Sequence, residues 1–170
     1  MTTTPTPDAE ALCAALLAQM RPAVQPNTVM IGVHTGGAWI AEKLHAALGL
    51  KTPLGTLDIS FYRDDFARVG LNPQVKKSTI PFDIEDAAII LVDDVLFTGR
   101  TVRAAMNELF DYGRPSRIDL AVLVDRGGRE LPVAARFTGA KLELRDNQSL
   151  NLARDERGTL SFSLVEKSTA

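Results

Sequence analysis

Three short segments of this 170-residue sequence carry side chains that could do chemistry. The densest is Asp93-Asp94-Val95-Leu96-Phe97-Thr98-Gly99-Arg100-Thr101, where adjacent carboxylates precede a glycine flanked by hydroxyls. A helix-period pattern begins just after Thr98, Gly99, Arg100 and Thr101. Free backbone N–H groups and the positive end of the helix dipole can hold a phosphate there, with the two hydroxyls as further donors. Gly99 lets the backbone approach closely. Asp93 and Asp94 repel an anion, but a carboxylate pair suits sugar hydroxyls or a hydrated divalent cation. Each half has a plainer reading alone, since acids often open a loop and Thr-Gly is often only a turn. In this order the two halves describe a phosphorylated sugar. No G-x-x-x-x-G-K-[ST] occurs, so the segment is not a Walker loop.

The other two segments are His34-Thr35-Gly36-Gly37 and Asp125-Arg126-Gly127-Gly128-Arg129. Each of the three follows a short apolar run (29–33, 87–92 and 118–124) that reads as a buried strand. Two are followed by helical periodicity: Ile40, Leu44, Ala47 and Leu48 before a Gly49 stop, and Val102, Ala105, Met106, Leu109 and Phe110 before Gly113 and Pro115. Strand–turn–helix units imply an α/β fold with a mainly parallel sheet, in which ligands bind beyond the carboxyl ends of the strands. The chemistry gathers at those ends.

Elsewhere, Thr6 and Pro7 can open a helix over 7–20, and Leu54 to Tyr62 reads as a strand entering the charged cluster Arg63-Asp64-Asp65. Residues 66–81 show little periodicity, and such a loop inside a compact domain is usually functional. The tail from Lys141 predicts a hairpin closing the sheet edge, with no chemistry of its own. Length fits a single domain over 1–170, its first six residues frayed. With 19 Lys and Arg against 21 Asp and Glu, a globally basic nucleic-acid binder is excluded. The lone Cys13 excludes an intrachain disulfide and suggests a reducing compartment, the cytoplasm. No secretory signal or membrane span is apparent. His34 and His45 read as surface or capping groups, and Trp39 as a packing residue.

The run VDDVLFTGRT over 92–101 resembles the phosphoribosyl pyrophosphate (PRPP) signature of type I phosphoribosyltransferases. With LDISFYRDD (57–65), VRAAMNELFDYGRP (102–115) and LAVLVDRGGRELPV (120–133), the chain resembles the PyrR family, pyrimidine operon regulators with uracil phosphoribosyltransferase activity. The resemblance spans about 29–139. It implies a twisted parallel sheet flanked by helices, with a hood and a flexible loop, and transfer of ribosyl-5-phosphate from PRPP to uracil, giving UMP and diphosphate, with Mg²⁺ on the donor. Asp93 and Asp94 would hold the ribose hydroxyls, and Mg²⁺ through water. Val95, Leu96, Phe97, Thr98, Gly99, Arg100 and Thr101 would cradle the 5-phosphate, and Thr35, Gly36 and Gly37 the pyrophosphate. Asp125, Arg126 and Arg129 would line the base pocket, with Arg126 counted beside the two acids as catalytic. Arg63, Lys76 and Lys77 would belong to the closing loop. Members assemble as homodimers or larger oligomers.

Bottom-up chemistry agrees, because an oxocarbenium-like transition state is stabilised by nearby carboxylates and must be shielded from water. Purine-transferring relatives carry an acid where Phe97 stands, so a pyrimidine acceptor is favoured. The sequence also departs from the pattern. Many members read Thr-Arg-Gly where this chain has Thr35-Gly36-Gly37, so a cation beside pyrophosphate is missing. Ala134 and Ala140 stand where RNA-regulating members place basic residues, and Gly128 where His is common. Each lost cation removes a phosphate contact, which speaks against RNA as a partner. The competing reading is a UMP- or PRPP-responsive regulatory protein with weak or no turnover.

Overall fold

The apolar runs before the three chemical segments leave no polar face, so both sides of the sheet they form must be covered. In the computed structural model, which describes residues 5–60 and 78–168, they become β1 (Val29–Val33), β3 (Ala88–Leu96) and β4 (Arg117–Asp125). With β2 (Gly55–Leu57) and β5 (Phe137–Lys141) they make a five-stranded sheet of order β2-β1-β3-β4-β5, every neighbouring pair parallel. Helices α1 (Ala9–Met20) and α2 (Gly36–Leu48) cover one face, where Leu16, Ile40 and Leu44 pack on Met30, Ile90 and Leu123. On the other face α3 (Arg100–Tyr112) buries Val102, Ala105 and Leu109 against Ile31, Leu91 and Val122. The α/β expectation holds.

Several boundaries differ from those the sequence suggests. Helix α1 starts at Ala9 because the Asp8 carboxylate, not Thr6, caps it, accepting from Glu10 N at 3.0 Å and Ala11 N at 3.2 Å. Strand β2 ends at Leu57 since Asp58 Oδ1 accepts from Ser60 N and Oγ, a local turn that competes with the ladder. Strand β3 runs on through the two acids to Leu96, because β4 pairs with it that far (Asp93↔Val122, Leu96↔Asp125). The tail also needs correcting. The sheet edge is closed by β5, while β6 (Gln148–Arg154) and β7 (Leu160–Glu166) form a separate antiparallel pair. That hairpin drives Leu152, Leu160 and Phe162 into the core shared with α1 and α2.

Arg63, Lys76, Lys77 and most of the expected closing loop lie outside the described residues, as do residues 1–4. Where the chain rejoins at Ser78, its hydroxyl donates to Glu108 on α3 at 2.7 Å and accepts from Asp58 N at 2.9 Å. Cys13 is buried, and burial pushes its thiol up to about 11, so it carries no thiolate near neutrality.

Two glycines set how closely α2 approaches the sheet. A Cβ on Gly32 would stand 2.6 Å from Ala38 Cα, and one on Gly37 would fall on the Val92 carbonyl oxygen. Neither obstacle is a flexible side chain. Gly37→Ala is therefore expected to cost roughly 1–3 kcal/mol through overpacking, read as a lower urea midpoint at unchanged slope. An unshifted midpoint would contradict this packing.

Candidate active site

The carboxyl ends of β1 and β3, the first turns of α2 and α3, and strand β6 enclose a cleft of about 440 Å³. Thr35, Gly36, Asp93, Asp94, Val95, Leu96, Phe97, Thr98, Gly99, Thr101 and Arg126 all line it. Continuation of β3 places Asp93 at the end of the sheet, 7 % exposed, with its Oδ1 accepting from Asp94 N at 2.9 Å. Asp94 Oδ1 in turn accepts from Val95 N at 2.8 Å.

The turn after β3 is shaped by its carbonyls. Leu96 O accepts from Arg126 N at 3.0 Å, Phe97 O from Arg129 Nη1 at 2.8 Å, and Thr98 O from Glu130 N at 2.9 Å and Leu131 N at 3.1 Å. All three carbonyls are claimed by the segment that follows β4. Across a trans peptide the carbonyl and the next N–H point in opposite directions. The amides of Phe97, Thr98 and Gly99 therefore turn away from that segment, towards the cleft. Gly99 makes the turn possible, with φ +93 and a Cβ position only 2.5 Å from Val133 Cγ2. Thr98 Oγ1 accepts from Arg100 N at 3.2 Å, and the α3 dipole adds positive potential at the same place. Amides so disposed could hold an anion. At the opposite wall the His34–Thr35 peptide is cis, and Thr35 opens α2 without a side-chain cap bond, leaving first-turn amides for a ligand.

Other predicted site residues are not brought into the cleft. Gly37 lies beneath it as a packing residue, and Arg100 Nε is 2.7 Å from Glu130 Oε2. Asp125 and Arg129 pair with each other at 2.6 Å and line a different pocket. Besides Phe97 O, Arg129 also donates to Val133 O at 3.0 Å. Arg126 does line the cleft. Its Nη1 donates to Gln148 O at 2.9 Å and Nη2 to Arg145 O at 3.3 Å, while its guanidinium lies 4.0 Å from the Phe97 ring centroid. Among the described residues its Nε, which is buried, has no hydrogen-bond partner. Burial pulls the guanidinium below its usual range, against the opposing field of Asp146.

The sequence reading missed the role of β6. Ser149, Leu150, Asn151 and Leu152 form a wall of the cleft, as does Trp39, whose ring stacks 5.0 Å from the Arg154 guanidinium. Leu150 and Leu152 alternate as a strand should, but where the hairpin lands is tertiary information.

A phosphoribosyl transferase domain model matches residues 4–151. The chain is 50% identical over 155 residues to the bifunctional protein PyrR of Nitrosococcus oceani, covering 90% of this chain and 86% of that protein. This chain belongs to the PyrR family. The PyrR of Pseudomonas syringae pv. tomato is 51% identical over 140 residues, covering 82% of this chain and 81% of that one. Among solved structures, a hypoxanthine phosphoribosyltransferase from Staphylococcus aureus superposes with TM-score 0.63 at 20% identity, covering 86% of this chain and 80% of its own. A purine phosphoribosyltransferase from Pyrococcus horikoshii gives TM-score 0.60 at 28% identity, covering 79% and 83%. The expected family and fold are borne out.

Asp125 offers a pH test of the brace beneath the cradle. Burial raises its carboxyl, but bonds from Arg129 and Gly127 outweigh that and hold it below the ordinary value of 3.8. A carboxyl lowered in the folded state contributes stability that is present above its unfolded pKa and lost as pH falls through the folded one. Arg129→Gln should cost about 1.5–3 kcal/mol near neutrality for a charge-assisted bond. The gap to wild type should narrow as pH drops below about 4. A gap that stays constant into acid would contradict the brace.

Proposed function

We propose that this chain is a uracil phosphoribosyltransferase, converting PRPP and uracil to UMP and diphosphate. The observation that carries the proposal is the turn at 96–98, whose three carbonyls are all engaged behind it while two carboxylates stand beside its amides. Such a cleft accepts a ligand that is anionic at one end and hydroxylated in the middle. A 5-phosphorylated ribose fits. In this reading Phe97, Thr98, Gly99 and Thr101 hold the 5-phosphate, Asp93 and Asp94 the 2- and 3-hydroxyls, and Thr35 and Gly36 the pyrophosphate. Val95 and Leu96 carry the backbone between acids and cradle. Gly37 and Arg100 support the two turns from outside.

Transfer breaks the bond from the anomeric carbon to the pyrophosphate oxygen and forms one to the uracil nitrogen, whose proton is taken up by the departing diphosphate. Positive charge grows on the ribose ring between these events, and the fixed carboxylates of Asp93 and Asp94 lower its energy without forming a bond. Among the described residues no group of three or more His, Cys, Asp or Glu side chains could ligate a metal. In this reading a cation would arrive on the donor, with Asp93 and Asp94 touching it through water. Mg²⁺ bound in that way would neutralise charge on the leaving pyrophosphate. Strand β6 and Arg126 cover the acceptor end, with Phe97 offering an aromatic face where a carboxylate would suit purine chemistry. Arg63, Lys76 and Lys77 complete the reading as parts of a closing loop.

Relatives are named bifunctional, and we extend to this chain a second role in pyrimidine gene regulation, exercised in the cytoplasm. A side chain at position 128 would strike the Phe97 ring, and φ there is +71, so Gly128 is kept for packing rather than for a basic contact. Together with Ala134 and Ala140, this argues against RNA as the partner. Filter binding to a pyrimidine-operon leader RNA should show no salt-sensitive, sequence-selective affinity, and tight selective retention would reverse that conclusion.

The enzymatic proposal is tested by incubating the protein with PRPP, Mg²⁺ and a panel of bases, following diphosphate release and UMP. Uracil should be the preferred acceptor. Asp93→Asn and Asp94→Asn should each lower kcat/KM by about 100-fold or more, as expected when fixed transition-state charge is removed. Release with no base, or equal rates with hypoxanthine, would defeat the assignment.

A further inference from the structure

Asp94 lies against the α2 turn as well as beside Asp93. A Cβ built on Gly36 would stand 2.6 Å from Asp94 Oδ2, 3.0 Å from its Cγ and 3.2 Å from its Cβ. The conformation of Gly36 is ordinary helix, and its φ is not among the positive ones. Glycine is thus not required here by the backbone. What it supplies is space, and the space is filled by a carboxylate.

We propose that Gly36 is a positioning residue for Asp94, holding that carboxylate between the ribose and pyrophosphate ends of the cleft by having no side chain. The inference rests on the PRPP reading above and deepens it. Asp94 is fixed at two points: Oδ1 accepts from Val95 N at 2.8 Å, and Oδ2 fills the gap beside Gly36. With the side chain so held, a donor's hydroxyls meet an acceptor already in place, and less freedom is lost on binding. A methyl at position 36 must push Oδ2 aside, which also strains the Val95 bond. A larger side chain at this position would have to displace the Asp94 carboxylate from its present place.

A double-mutant cycle decides the matter. Trp39 is the sole tryptophan and lines the cleft, so its fluorescence reports titration with PRPP and Mg²⁺ without need of turnover. Wild type, Gly36→Ala, Asp94→Ala and the double variant are titrated and melted in parallel. Gly36→Ala should weaken donor binding by about fivefold or more and lower the unfolding temperature. With Asp94 truncated to alanine only the 3.2 Å contact to Cβ remains, so Gly36→Ala should then change donor affinity by less than about twofold and leave the melt nearly unmoved. Additive losses, or a Gly36→Ala protein that binds like wild type, would overturn the inference. If wild-type protein gave neither a fluorescence change nor heat on calorimetric titration, the PRPP reading would fail. The melting cycle would still show separately whether Gly36 seats Asp94.

Discussion

The functional end of this molecule depends on a rule of backbone chemistry: a buried carbonyl must find a donor. After β3 the chain turns sharply into α3, and three successive carbonyls are left facing the segment beyond β4. That segment satisfies all of them, through backbone N–H groups at 126, 130 and 131 and through the Arg129 side chain. Because each peptide is a rigid plane with opposed dipolar ends, meeting the carbonyls on one side presents amides on the other. The cradle is therefore preorganised by folding, and a bound phosphate need not reorganise it. Preorganised dipoles of this kind hold an anion at little cost in lost freedom.

A second constraint follows from the charges. Asp93 is 7 % exposed, and an isolated buried carboxylate is costly. Here it lies at the carboxyl end of a parallel sheet where two helices begin, and the positive ends of α2 and α3 offset part of that cost. In the proposed reaction the same two helix ends would attract phosphate and pyrophosphate, so negative side chains and negative ligand groups would share one positive field. They coexist only if the ligand puts neutral hydroxyls opposite the carboxylates and anions opposite the amides. A 5-phosphorylated ribose with pyrophosphate on its anomeric carbon has that order. A simple nucleotide lacks the second anion, and a free sugar lacks both.

Much of this was legible in the sequence, for reasons particular residues make plain. The runs at 29–33 and 118–124 have no polar side at their centres, which is what a doubly covered parallel strand requires. Gly49 ends α2 in the left-handed region, as a glycine after an apolar helical stripe should. What was not legible depends on pairing at a distance. Asp93 and Asp94 looked like the start of a loop, yet β4 carries the ladder past them. Asp125 and Arg129, which the resemblance placed at the base pocket, are also each other's ion-pair partners across a four-residue spacing. The hairpin was expected in the tail from Lys141, but its placement over the cleft is set by burial of Leu150 and Leu152 against α1 and α2 and by Arg126 holding the carbonyls of Gln148 in β6 and of Arg145 just before it.

Arg126 also explains why Phe97 belongs at the mouth of the cleft. Its guanidinium faces the Phe97 ring at 4.0 Å while its two terminal nitrogens hold the carbonyls of Gln148 and Arg145. An aromatic face attracts the cation without competing for those nitrogens, since the contact is to the plane and the bonds are at its edge. A carboxylate at position 97 would offer a stronger, in-plane partner and draw the guanidinium off the hairpin. The hairpin's first strand would then lose the anchor that keeps Ser149 and Asn151 against the cleft. Position 97 thus bears on the seating of the strand that walls the cleft as well as on the lining of the cleft itself. Gly128 belongs to the same unit, because any side chain there would displace the ring that Arg126 rests upon.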